Sequence, residues 1–205
     1  YKISHRLMYP AGTEKVYSTW TPRASKIKDI TKVVSFGQQR FIKNLQNIFE
    51  EDFFSKNIRD ITEDYTRVIA NTLGVQNPDA SHIEALHKLG YLPLSIKSLP
   101  EGTLVPLRVP MLTIESTHGF FWLTNYIESL ASCELWQAST SATLAHEYRK
   151  ILNAYAMKTV GNTDFVPFQG HDFSMRGMSS LSSAVASGMG HLLSFVGTDT
   201  IPAIQ

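Results

Sequence analysis

The sequence predicts an α/β chain: a mixed helical and small-sheet domain over residues 1–162, followed by a β-α-β unit over 163–205. Three observations predict it. Apolar residues keep helical spacing through most of the first half. Short β-prone runs punctuated by proline and glycine occupy 94–116, and a small-residue helix flanked by two apolar runs closes the chain.

Taken in order, Phe41, Leu45, Ile48 and Phe49 mark one amphipathic helix, and Ile61, Tyr65, Val68, Ile69 and Leu73 mark a second that stops at Gly74. Ser81 and Glu84 form a capping-box pattern that opens a short helix closed by Gly90. The runs 94–99, 103–106 and 111–116, separated by Pro100-Glu101-Gly102 and by Pro110, predict one small antiparallel sheet. Two long helices follow, over 120–137 and 141–157, ended by Gly161-Asn162. The last unit reads as a strand over 164–168, a polar loop over 170–177, a helix over 179–193 and an apolar strand over 194–196. Ser183, Ala186, Ser187 and Gly190 leave that helix room for close approach to a sheet.

With 205 residues, 43% of them hydrophobic and 18% charged, the chain can bury a substantial core. A net charge of +1 with dispersed basic residues lacks the positive footprint of a nucleic-acid binder. The single Cys133 excludes an internal disulfide, and no apolar run is long enough to span a bilayer. A cytoplasmic setting is expected. The chain opens at Tyr1 without a methionine and stops at Gln205 just after a strand and loop, so both ends read as cut.

Parallel strands of a right-handed β-α-β unit send their carboxyl-end loops to one edge, where α/β active sites gather. The first such loop carries His171, Asp172, Phe173 and Arg176, and the second Gly197, Thr198, Asp199 and Thr200. An aromatic ring, a guanidinium and a carboxylate therefore converge in a manner suited to a flat ligand bearing an amide and a phosphate. Each has a plainer reading: Phe173 as a core ring, Asp199 as a helix cap, Arg176 as a partner of Asp172, and Arg23 as part of a basic loop with Lys26, Lys28 and Lys32. The histidines lack metal-ligand spacing, and only His171 belongs at this site, lining the ring pocket.

The segments Tyr1-Lys2-Ile3-Ser4-His5, Lys15-Val16-Tyr17-Ser18, Trp122-Leu123-Thr124-Asn125-Tyr126, His171-Asp172-Phe173, Arg176-Gly177 and Gly197-Thr198-Asp199-Thr200 resemble, in order and spacing, the nicotinamide phosphoribosyltransferases. Ser174 and Met175 depart from the glycine and aromatic residue expected in that loop. The resemblance covers essentially the whole chain as the front portion of such an enzyme. It implies a type II phosphoribosyltransferase-like architecture in which 163–205 begins an irregular α/β barrel. It also implies a homodimer with shared active sites, with nicotinamide stacked between Phe173 and the partner's Tyr1. Asp199 would meet the carboxamide, Arg176 would lie near the ligand, and Arg23 would reach phosphate across the interface. The implied reaction condenses nicotinamide with 5-phosphoribosyl 1-pyrophosphate (PRPP) accompanied by Mg2+, in some members coupled to ATP. The alternatives are a nicotinate phosphoribosyltransferase and a non-catalytic binding protein that retains the fold.

Overall fold

The computed structural model describes residues 2–204. The elements in chain order are a 3-10 turn Lys2–Leu7, β1 Tyr17–Trp20, β2 Lys32–Val34, α1 Gln38–Phe49, α2 Ile58–Leu73, α3 Ser81–Leu89, β3 Leu94–Ser98, β4 Leu104–Pro106, β5 Leu112–Ser116, α4 Leu123–Thr159, β6 His171–Asp172, α5 Leu181–Leu192 and β7 Gly197–Thr198.

The three β-prone runs become strands, but they do not share one sheet. β5 is the central strand between β1 and β3, antiparallel to both, whereas β4 leaves to pair with β2. Strands β1 and β2 carry too few residues to announce themselves, and β1 finds its partner at the Tyr17↔Glu115 register, far along the chain. The inward residues Leu112 and Ile114 of β5 alternate with its half-buried ones. They meet Phe41 and Leu45 of α1 and Ile127, Ala131 and Leu135 of α4, and this sandwich is the main core.

The helices start and stop largely where the residue chemistry dictates. Asn57 accepts the backbone N–H of Arg59 at 2.9 Å to open α2, and Gly74 and Gly90 close α2 and α3 with φ of 67° and 79°. The expected Ser81–Glu84 box does not form. Ser81 is already helical, and Asp79 takes the capping role by accepting its backbone N–H at 2.9 Å.

The larger correction concerns α4, which runs unbroken for 37 residues, about 55 Å at the usual rise, where two helices were expected. The Ser/Thr cluster around the gap between the two expected helices is packed against β2 and its flank. Ser139 donates to the Phe36 carbonyl at 2.9 Å, and Thr143 donates to the Ser139 carbonyl at 2.6 Å while accepting the Val34 N–H at 2.9 Å. Hydroxyls satisfied in this way no longer compete with the helix.

α5 packs chiefly along α4 rather than on a sheet. A Cβ on Gly190 would come 2.8 Å from the Ala142 nitrogen and 3.0 Å from the Ala138 carbonyl, so this glycine sets the helix–helix distance. The strands flanking α5 fall later than the sequence suggested. Residues Val166–Phe168 form a 3-10 turn, and the parallel pair is His171↔Gly197 and Asp172↔Thr198. His171, Asp172, Gly197 and Thr198 are therefore strand residues, not loop residues. Among the described residues no helix is long and apolar enough to cross a membrane.

Candidate functional site

Strand alternation builds the site. Along β6 and its exit His171 and Phe173 are exposed and Asp172 is buried, while along β7 and its exit Asp199 is exposed and Thr198 and Thr200 are buried. Parallel pairing puts the two exposed sets on one side and the two buried sets on the other.

The buried side is a polar knot centred on Asp172. One of its carboxylate oxygens accepts the Ser174 N–H at 3.0 Å, and the other accepts the hydroxyls of Thr198 at 2.9 Å and Thr200 at 2.7 Å. Its carbonyl accepts the Asp199 N–H at 2.8 Å, which extends the ladder by one rung. Burial works against the Asp172 charge, but the hydrogen bonds from Thr200, Ser174 and Thr198 outweigh it and hold the pKa below its ordinary value. A Cβ on Gly188 would sit 2.8 Å from the Ala203 Cβ and 3.3 Å from Asp172 Oδ2, so the helix can press on the knot only with glycine there. The knot fixes the directions in which Phe173 and Asp199 leave the strands. Sequence reasoning gives Asp172 only as a loop residue and as a partner for Arg176; its alternation with His171 and Phe173, opposite Thr198 and Thr200, was the available signal.

On the exposed side, Phe173, Met175, Arg176, Asp199 and Ile201 line a cleft of about 560 Å³. Phe173 is 67% exposed and so is not a core ring. Among the described residues Arg176 has no ion-pair partner, the oxygens of Asp172 being bound to Ser174, Thr198 and Thr200. Asp199 does not cap the 3-10 turn Ile201–Ala203 that follows it. Its Oδ1 lies 2.8 Å from Nε2 of His171 instead.

His171 stands beside this cleft rather than in its wall. With Phe173 it borders a neighbouring cleft of about 530 Å³ toward Tyr148, His191 and Phe195, so Phe173 is the partition between the two. The His171 and Phe173 ring centroids are 4.6 Å apart.

Arg23 lies elsewhere, on a further cleft of about 560 Å³ between the β1 strand with its exit and α4, together with Trp20 and Trp136. Tyr1 lies outside the described residues. Among the described residues no cluster of three or more His, Cys, Asp or Glu side chains is arranged to hold a metal ion.

Residues 168–205, which contain this cleft, match the model of the nicotinate phosphoribosyltransferase (NAPRTase) family. The whole chain is 49% identical to the nicotinamide phosphoribosyltransferase of Acinetobacter baylyi, covering 42% of it. Over 98% of its length it is 34% identical to the nicotinamide phosphoribosyltransferase of Mycoplasma genitalium, covering 48% of that protein. It thus spans less than half the length of these curated relatives. The crystal structure of human nicotinic acid phosphoribosyltransferase superposes on 98% of the chain with a TM-score of 0.62 at 16% identity, using 35% of that structure, which shows a shared type II phosphoribosyltransferase fold. Along its entire length the chain is thus similar to the front portion of nicotinamide phosphoribosyltransferases, and its β6-α5-β7 unit matches the nicotinate phosphoribosyltransferase family model.

Proposed function

We propose that the intact protein is a nicotinamide phosphoribosyltransferase, condensing nicotinamide with PRPP to give nicotinamide mononucleotide and pyrophosphate. The observation that carries the reading is the convergence of Phe173, Arg176 and Asp199 on one cleft. A flat pyridine ring stacks on Phe173, a contact worth about 1–3 kcal/mol by analogy with nucleobases. An ionised carboxylate is an acceptor only, so Asp199 welcomes the N–H₂ of a carboxamide and repels the carboxylate of nicotinate. Arg176 supplies positive charge for phosphate or for the ligand carbonyl.

The ring nitrogen attacks the anomeric carbon, a C–N bond forms, the C–O bond to pyrophosphate breaks, and the leaving group carries away the electron pair. No protein nucleophile takes part. The chain's contribution is alignment of ring and ribose together with charge complementarity. Magnesium enters this reading as the companion of PRPP, part of the substrate, and no step of the described residues runs through it. ATP coupling is a further element of the proposal. A homodimer also belongs to it, with the partner's Tyr1 completing the ring sandwich and Arg23 reaching the phosphate of the other subunit's ligand. So does a cytoplasmic location.

The test is turnover of nicotinamide and nicotinate by the intact protein under identical PRPP concentrations. Preference for nicotinamide is expected. Preference for nicotinate assigns the other branch of the family, and failure to bind nicotinamide mononucleotide in a calorimetric titration assigns a non-catalytic binder.

A further inference from the structure

The exposed carboxylate of Asp199 is not held by the backbone or by a cap, yet a selectivity filter based on repulsion works only if the repelling group cannot turn away. Its side chain is 57% exposed, which leaves ample room for rotation toward water. Among the described residues the one side chain that restrains it is His171, 2.8 Å from Oδ1. We propose that His171 is a positioning residue that sets discrimination between an amide and a carboxylate on the pyridine ring by pinning Asp199; the proposal rests on the functional reading above.

The geometry specifies how. A carboxylate has no proton to give, so Nε2 of His171 donates and Oδ1 accepts. That leaves Oδ2 as the acceptor for a carboxamide N–H. The imidazole is itself fixed from two sides. Its Nδ1 rests over Gly197, where a Cβ would overlap it, and its ring leans on Phe173 with centroids 4.6 Å apart and planes 43° from parallel. Backbone pairing of His171 with Gly197 brings the ring to that glycine, and the extra rung from Asp199 N–H to the Asp172 carbonyl brings the carboxylate within reach. His171 thus acts through Asp199 without needing to touch the ligand. The tilted contact with Phe173 also ties the filter to the ring that carries the substrate. Preorganisation of this kind raises selectivity by removing the escape route of the wrong ligand, because a pinned charge cannot lower the repulsion by moving.

The experiment compares kcat/KM for nicotinamide and for nicotinate in the intact protein and in the variants H171F, H171Q, D199N and H171F/D199N, with the melting temperature of each. H171F keeps an aromatic ring and loses the donor, and H171Q restores a donor at the Nε2 position. The expected result is a drop of about tenfold in the nicotinamide-to-nicotinate ratio for H171F, the scale of one hydrogen bond to a charged group. That change should lie in KM for the pyridine with KM for PRPP unmoved, and H171Q should recover most of the ratio. In the D199N background H171F should change the ratio no further, since its only route has gone.

If D199N collapses the ratio while H171F leaves it intact, the role of His171 is overturned and the functional reading stands. If D199N leaves the ratio unchanged, the reading of the cleft falls and the proposal falls with it. If H171F and H171Q are equally impaired and both melt lower, His171 is merely structural and the proposal is overturned.

Discussion

Asp172 and Phe173 are adjacent in sequence and opposite in consequence. Asp172 is buried and accepts three hydrogen bonds from Ser174, Thr198 and Thr200, so Asp172→Ala strands two threonine hydroxyls in a buried site. A loss of about 1–3 kcal/mol is expected from denaturant unfolding of the intact protein. Its lowered pKa has a definite sign: the stabilisation is fully present above the unfolded-state value and is lost only as pH falls through the lower folded value, so the knot is indifferent to pH near neutrality. Phe173→Ala removes a stacking surface common to both pyridines. It should weaken nicotinamide and nicotinate together, by roughly tenfold, as steady-state KM values would reveal.

His82 responds to acid in the same direction, but in a range nearer neutrality. Burial, reinforced by Arg6 and opposed by Asp79, lowers its pKa from 6.5 to about 4. The ring sits edge-on to Trp122 at 4.9 Å, between Tyr65 and Tyr126, and its Nδ1 has no hydrogen-bond partner among the described residues. Between those two pH values the unfolded chain binds the proton and the folded chain does not, so stability should fall by up to about 3 kcal/mol on acidification across the interval. Replacing His82 with Phe should flatten the melting temperature over that range. An equally steep dependence in the variant would locate the effect elsewhere.

At the scale of elements, the contact between α4 and α5 depends on residues whose value lies in having no side chain. Gly190→Val would drive a branched side chain into the α4 backbone, 2.8 Å from the Ala142 nitrogen already at Cβ. Overpacking of this kind costs about 1–3 kcal/mol, so the melting temperature should fall by several degrees. Gly37, at φ 98° and with a would-be Cβ 2.6 Å from the Ala138 Cβ, plays the same part where β2 turns into α1. Ala138 is thus close-packed from both directions: Gly37 approaches it from one element and Gly190 from another.

Across the whole molecule, the faces of α4 and of the β6–β7 pair remain rich in uncovered apolar side chains. Tyr148, Ile151 and Phe173 border one cleft, and all are more than half exposed, as are Phe168 and Val196 nearby in the chain. The two-residue strands β6 and β7 form a sheet of their own. A polypeptide limited to these 205 residues is therefore expected to self-associate, through apolar surface and unpaired strand edges. Light scattering on the isolated polypeptide checks this, and a monodisperse, cooperatively melting monomer would contradict it.

The sequence by itself determined what depends on near neighbours: the helical faces of α1 and α2, the glycine stops at Gly74 and Gly90, the β-prone runs that became β3, β4 and β5, and the order of site residues from Phe173 to Asp199. These follow from period, caps and turn chemistry, which act over a few residues. Only the tertiary structure decided which strands paired, that α4 runs through its Ser/Thr cluster, that Asp79 and not Ser81 caps α3, and that the closing strands begin at His171 and Gly197. It alone set His171 behind Asp199 and knotted Asp172 to two threonines. The reason is one of range: a hydroxyl or carboxylate has many partners within reach of its own turn, and the one it takes is fixed by residues that arrive from elsewhere in the chain.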